Sequence, residues 1–417
     1  MNDISHTGVP HGQPANPGDS SARREAHVIG SDAEALAAAD RLALQLSGGA
    51  AARDQQRRLP HEELALFSAS GLGGITVPRE YGGADVSFVT LAEVFAILSE
   101  ADPSVGQIPQ NHFGFLNVIR TLGSESQKRR YFAGVLAGKR LGNAGPERGS
   151  RNTTDIQTRL TRVDGQLRVS GRKFYSTGAL FADWVPTKLL DDEGRMVAAI
   201  IERDTPGLTV IDDWSGFGQR TTASGSVLFN DVVVDPDSVL PLWQSAGEPS
   251  LIGPVSQIIQ AAIDAGIARA AVRETVRFVR EQARPWIDAK VDNAGDDPYV
   301  IRDTGQLYIE LHAADAVLER AARALDRIRA SGVTAQTQAE ASIAVAKAKV
   351  LTTEAALNSA EKLFELSGSR AVLSASNLDR HWRNARVHTL HDPVRWKYFA
   401  IGNYLLNGVL PQRHAWI

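Results

Sequence analysis

The 417-residue chain has no cysteine. A disulfide framework, a thiolate metal site, an iron–sulfur cluster and a cysteine nucleophile are therefore excluded together. No apolar run reaches the ~18 residues of a membrane span, and the Pro-, Gly- and Ser-containing N-terminus lacks the apolar centre of a signal peptide. A cytoplasmic location is the expectation. The formal net charge is only −3, so no basic field points to nucleic acid or to an anionic membrane. No Gly-x-Gly-x-x-Gly run follows a strand, so the chain is not expected to reduce a flavin with its own pyridine nucleotide. With 43% hydrophobic and 22% charged residues, the composition is that of an ordinary globular protein, long enough for two or three domains.

Residues 1–27 carry no apolar period and read as a disordered tail. From 28 to 142 the pattern is helical. Ser31 and Glu34 have capping-box spacing, as do Ser124 and Gln127, and Pro60 and Gly71 bracket a short helix. From 143 to 240 the period changes. Asp164-Gly165 between Leu160–Val163 and Leu167–Val169 is a hairpin signature, and Val197–Ile201 and Val227–Val234 are further strands, which together predict a small β-barrel or sandwich. From 250 to 417 helical spacing returns, with apolar seams through Leu307, Leu311, Ala314 and Leu318 and through Ile343, Ala346, Val350 and Thr353. Two long helices on those seams, one from about 258 to 281 and a last one near 398–405, predict a four-helix bundle.

The densest stretch runs from Arg380 to Pro393, with three histidines, three arginines, a tryptophan and an aspartate in fourteen residues. If the helix continues through it, His388 and His391 lie three apart on one face and point into one pocket, where imidazole can move protons near neutral pH. The plainer reading, arginines docking a helix end and histidines packing on aromatics, stands beside it.

The order helix, β, bundle, together with Val77-Pro78-Arg79-Glu80-Tyr81-Gly82-Gly83, Ala101-Asp102-Pro103-Ser104 and Gly123-Ser124-Glu125-Ser126-Gln127-Lys128, resembles the acyl-CoA dehydrogenase superfamily. Asp213-Trp214, Gln282 to Trp286, Asp296 to Arg302, the histidine stretch and the C-terminal Asn407 to Ile417 resemble one branch of it, the flavin-dependent monooxygenases of organosulfur compounds. These include the dibenzothiophene monooxygenases and the sulfur-acquisition oxidoreductases. The resemblance implies an N-terminal helical domain, a middle β-barrel and a C-terminal four-helix bundle. It also implies reduced FMN and O2 forming a flavin C4a-hydroperoxide that oxidises sulfur, with the reduced flavin supplied by a separate NAD(P)H-dependent reductase, in a homotetramer without metal.

Carried over by that resemblance, Asn143, Ala144 and Glu147 belong to a loop over the flavin, although Gly145, Pro146 and Arg148 depart from the usual pattern. Lys173 to Thr177 forms a strand whose last hydroxyl reaches the isoalloxazine; spacing alone would make it plain strand alternation. Arg284, from a neighbouring subunit, and Ser369-Arg370 contact the phosphate. Trp214 walls the pocket, unless it is a core aromatic. His391 contacts the flavin and acts on the peroxide proton, with His388 beside it. Gln107 and Asn111 stand where relatives have a histidine and a tyrosine, with His112 matching a further histidine. Neither amide transfers protons at neutral pH, which leaves that work to His388 and His391 and suits a smaller substrate.

Asp392 falls approximately where acyl-CoA dehydrogenases place a catalytic glutamate, one methylene too short for a base that must reach a substrate carbon. The Gln-x-x-Gly-Gly-x-Gly run for the adenylate half of FAD is replaced by Glu365 to Arg370. FMN is therefore expected over FAD. An FAD-dependent acyl-CoA dehydrogenase and a non-catalytic oligomeric scaffold are the alternatives.

Overall fold

The computed structural model describes residues 26–417, so all but the last two residues of the expected tail lie outside it. Helix α1 (Asp32–Ser47) opens where Ser31 accepts the Glu34 amide; the Glu34 carboxylate reaches back to the amide of Gly30. Then follow α2 (Ala50–Gln56), α3 (His61–Ala69), α4 (Phe88–Ala101), α5 (Pro103–Gln107), α6 (Gln110–Leu122) and α7 (Glu125–Leu136). The last begins with the expected reciprocal capping box of Ser124 and Gln127. Asp102 caps α5 through the amides of Ser104 and Val105 and takes the Arg53 guanidinium on its other oxygen at 2.8 Å. The short helix that ends in Gln107 is thus fixed at its start.

The middle region holds seven strands, β1 (Arg159–Val163), β2 (Gln166–Lys173), β3 (Trp184–Leu190), β4 (Met196–Glu202), β5 (Leu208–Ile211), β6 (Ser226–Val234) and β7 (Val239–Leu240), in the order β5-β6-β2-β1-β3-β4-β7, with β1 and β3 joined by a single pair, Arg159 and Leu190. Among the described residues no ladder joins β5 to β7. Asp164 (φ 48°) and Gly165 (φ 80°) turn the β1–β2 hairpin as their sequence predicts. Val169, Val185, Leu189, Val197 and Phe229 belong to a core of the sheet's own.

After a short α8 (Gln244–Gly247) come α9 (Ile252–Glu281), α10 (Pro298–Ser331), α11 (Ala335–Ser367), α12 (Asp379–His388) and α13 (Arg395–Asn407). The α9 and α11 helices run parallel. Ser250 bonds Gln338, Asp264 bonds Lys349 and Thr353, and Arg370 bonds Gln282, at chain separations of 88, 85, 89 and 88 residues. The buried residues of α9 lie all round it, as expected of a helix enclosed by its neighbours. Among the described residues no helix is long and apolar enough to cross a membrane.

Candidate active site

Helix α12 stops at His388, short of His391, but the turn that ends it keeps the two imidazoles together. Their ring centroids are 4.9 Å apart, and His391 Nδ1 lies 2.6 Å from the His388 carbonyl. A carbonyl only accepts, so Nδ1 carries the proton and, in the neutral ring, Nε2 carries the lone pair. Gln107 Nε2 meets that Nε2 at 2.8 Å. Gln107 is buried and its Oε1 has no partner. Packed protein surrounds His391 closely enough to push its pKa down to about 4, by lost hydration first and by His388 second, yet the residue keeps an open surface.

His388 is wholly enclosed. Its Nδ1 lies 2.5 Å from Asp264 Oδ1; the other oxygen of Asp264 takes Lys349 Nζ at 2.6 Å and the Thr353 hydroxyl at 3.0 Å. Asp264, Lys349 and His388 each have 0% exposure. Burial alone would raise the Asp264 pKa, but Lys349 and His388 more than offset it and hold the carboxyl well below its usual range. Burial outweighs Asp264 at His388 and lowers its pKa, so the ring is favoured neutral. Nε2 of His388 has no partner.

The β domain meets α12 through a chain of hydroxyls. Thr177 Oγ1 lies 2.7 Å from Ser224 Oγ, which lies 2.7 Å from Thr222 Oγ1; Thr222 donates to the Gln219 carbonyl, and the Gln219 amide donates to Asn384 Oδ1 on α12 at 2.7 Å. Because Thr222 ends on a carbonyl, the hydroxyls must donate in sequence from Thr177 inward. Thr177 is left with free lone pairs. Gly218 permits the junction, since a Cβ there would stand 2.0 Å from the Arg383 carbonyl of α12. Tyr175 (φ 67°), Gln219 (φ 49°) and Ala223 (φ 47°) hold left-handed backbone in this region, a clustering of strain that marks functional loops. Trp214, whose Nε1 is bonded to the Gln219 carbonyl, adjoins Phe174 and Tyr175 at 6.5 and 6.2 Å between ring centres. Ser176 Oγ and both amide atoms of the buried Gln219 side chain have no partner.

Several expected residues are engaged elsewhere. Glu147 accepts from Lys173 at 2.7 Å, from the Thr158 hydroxyl and from two backbone amides; these bonds overcome burial and bring its pKa to about 2. The Glu147–Lys173 pair therefore pins the 143–158 loop to β2, and neither charge is available to a ligand. The Ala144 backbone is bonded to β3 through Pro186 and Lys188, while Asn143 donates to the Tyr175 carbonyl at 3.3 Å. His112 Nε2 lies 2.8 Å from the Gly73 carbonyl and its Nδ1 accepts the Leu141 amide, so both nitrogens are held by backbone, while the ring lines a small cavity with Phe67, Ile108 and Phe181. Asn111 is half-buried on α6. Asp392 is buried beside Lys397, 2.8 Å from its Nζ, and Lys397 also donates to the Trp416 carbonyl.

Arg284, Ser369 and Arg370 are exposed at the far end of the bundle, where Arg370 donates to the Gln282 carbonyl. At 1.5 Å per residue that point is roughly 25 Å along α9 from Asp264. Of the arginines in the dense stretch, Arg383 docks α12 onto α2 through Asp54, as the plainer reading supposed. Asp264, Lys349, Ser224, Gln219 and Asn384 were not anticipated; a charge inside an apolar helical seam was the available signal for the first two.

Residues 35–139 match the family model for the acyl-CoA dehydrogenase N-terminal domain, and residues 258–396 that for the acyl-CoA dehydrogenase C-terminal domain. A dibenzothiophene monooxygenase of Mycolicibacterium goodii is 35% identical over 374 residues, 86% of this chain and 90% of that protein. The "Probable FMNH2-dependent monooxygenase SfnC" of Pseudomonas putida is 30% identical over 384 residues, 90% of this chain and 96% of that protein. The crystal structure of FMN-bound TdsC from Paenibacillus sp. A11-2 superposes with a TM-score of 0.87 at 32% identity, covering 92% of this chain and 100% of that one.

Proposed function

The chain belongs to the acyl-CoA dehydrogenase family, and on that premise we propose that it is a flavin-dependent monooxygenase that uses reduced FMN and O2 to oxidise a small organosulfur compound in sulfur acquisition. The overall balance is one reduced FMN, one O2 and one sulfur substrate giving oxidised FMN, the S-oxygenated product and water. A separate NAD(P)H-dependent reductase supplies the reduced flavin, in the cytoplasm.

The observation that carries this reading is the polarity of the hydroxyl chain. Thr177 is left as an acceptor, because its proton is committed to Ser224. An acceptor there suits the N–H of a reduced flavin. The unpartnered amide of Gln219 and the hydroxyl of Ser176 offer both donor and acceptor to the edge of a heteroaromatic ring, and Phe174 and Trp214 supply its apolar surroundings. The residues present therefore fit a flavin. Thr177, Ser176, Gln219 and Asn143 would hold the ring, and Arg284, Ser369 and Arg370 of a neighbouring chain its phosphate.

When bound, reduced flavin supplies the electrons that activate oxygen. His391 is the group that takes up a proton at Nε2 when Gln107 yields that lone pair, and returns it, His388 presents a second Nε2 beside it, and Gln107 orients His391 between these events. Burial of Gln107 and His388 limits the water that would divert oxygen to peroxide. Dehydrogenation of an acyl thioester would need a free carboxylate, whereas Asp392 is ion-paired with Lys397. We also assign a homotetramer. Trp396, Phe399, Leu405, Leu406, Val409 and Leu410 leave a broad apolar face on and after α13, of the kind that monomers rarely expose.

The test is titration with FMN, reduced FMN and FAD, followed by mixing of the reduced complex with O2 and a small sulfide, sulfoxide or sulfinate. Tighter binding of reduced FMN, and oxygenated product formed with little peroxide, is the expected result. Preferred FAD binding with bleaching by an acyl-CoA would return the protein to the dehydrogenases, and absence of flavin binding would make it a scaffold.

A further inference from the structure

Two ion pairs flank the histidines. Lys349 of α11 neutralises Asp264 of α9, and Lys397 of α13 neutralises Asp392 of the segment after α12. His388 is packed against the first pair and next to His391, and Asp392 lies four residues further along the chain. Counted together, the fixed charges facing the two imidazoles sum to zero. A proton added to His388 would put one positive charge into a space with no exposed surface, beside a carboxylate whose second oxygen already carries an ammonium.

A buried Asp–His contact on its own favours imidazolium, because an unpaired carboxylate attracts the proton. Here the lysine removes that drive. What remains of Asp264 is a directional acceptor, which fixes the imidazole proton on Nδ1. The unpartnered Nε2 then carries a lone pair aimed into the enclosed space. Both nitrogens of His112, by contrast, are bonded to backbone.

We propose that Asp264 and Lys349 are positioning residues that act together to keep His388 neutral, protonated on Nδ1, with Nε2 as a free hydrogen-bond acceptor beside His391. Asp264 sets the tautomer and Lys349 sets the charge. That this acceptor faces the reacting groups rests on the monooxygenase reading; its tautomer and charge do not.

The experiment is ¹⁵N NMR of imidazole-labelled protein without flavin, with His388→Asn identifying the resonances, across pH 5.5–8.5. In the wild type, His388 is expected as the neutral Nδ1–H tautomer throughout. Lys349→Met should move its titration midpoint up by about one pH unit or more, into or above the neutral range, because Asp264 is left unpaired. Thr353→Val, a smaller lesion at the same carboxylate, should shift it less in the same direction. Asp264→Asn should abolish the Nδ1–H preference. In a protein active as an oxygenase, Lys349→Met should move the pH profile of kcat by the same amount and leave reduced-FMN affinity within about twofold. An Nε2–H tautomer or an imidazolium at pH 7 in the wild type overturns the proposal, and so does an unshifted midpoint in Lys349→Met or, if that variant does not fold, in Thr353→Val. If the NMR results hold but no oxygenation is found, the arrangement of His388 stands and the monooxygenase reading falls.

Discussion

Nε2 of Gln107 lies 2.8 Å from Nε2 of His391, the one imidazole nitrogen left with a lone pair after Nδ1 has bonded the His388 carbonyl. A neutral amide thus selects which protonation state of His391 is present before any substrate arrives. Gln107→Leu removes this donor without adding charge. Coupled oxygenation is expected to fall about tenfold, the worth of one such hydrogen bond, with more peroxide released per reduced FMN. Unchanged coupling in a stopped-flow oxygen assay would separate Gln107 from the chemistry.

His391→Ala should fold and bind FMN within a few-fold of the wild type, since its ring keeps an open surface and closes no core. Loss of a positioned acid–base group predicts a fall of about 10²–10⁴ in product formation. Thermal unfolding, FMN titration and product analysis separate the three quantities, and full turnover would remove His391 from proton transfer.

The pH dependence of stability has a definite sign. Burial lowers His112 from 6.5 to about 4, so the unfolded chain takes up the proton first as pH falls. The stability held by neutral His112 is present above about 6.5, is lost as pH falls from there to about 4, and changes no further below; for a group this enclosed it amounts to about 3 kcal/mol. His112→Asn should be less stable at neutral pH, through the disturbed bonds to Gly73 and Leu141. It should also show a shallower decline between pH 6.5 and 4, by one proton in the slope of unfolding free energy against pH. An unaltered slope in urea titrations would mean that His112 is not held neutral.

Much of the framework was readable because its causes are local. Ser124 and Gln127 stand within one turn, and Asp164-Gly165 carries its own backbone preference. Strand β3 was not readable, because Pro186 reads as punctuation. In the fold it pairs with Ile200 of β4, and on its other side residue 144 bonds the Pro186 carbonyl and the Lys188 amide, so no ladder bond needs the missing N–H. The histidines were legible from their chemistry and spacing. Their partners were not, since Asp264 lies 124 residues from His388 and Gln107 lies 284 from His391. Glu147 and Lys173 were legible as residues, but not their mutual ion pair, which joins positions 26 residues apart.

Arg284 is exposed and lies outside the regular helices, so Arg284→Ala should leave the melting temperature unchanged. If it meets a flavin phosphate across a subunit boundary, FMN affinity should drop by about ten- to a hundredfold, as for a lost charged hydrogen bond. Equal affinity in calorimetry would exclude it.

The parallel α9 and α11 helices make each chain a strut with the histidines near its middle and, in the proposed assembly, the candidate phosphate contacts Arg284, Ser369 and Arg370 at its end. Two defective chains can therefore repair each other. In a mixed pair of His391→Ala and Arg284→Ala subunits, one cleft collects both lesions and the other collects none. Random reassembly of the two variants, assayed at reduced FMN too low to fill Arg284→Ala sites, should thus regain roughly a quarter of wild-type sites, the share set by two-fold pairing. Neither parent, reassembled alone, should recover any.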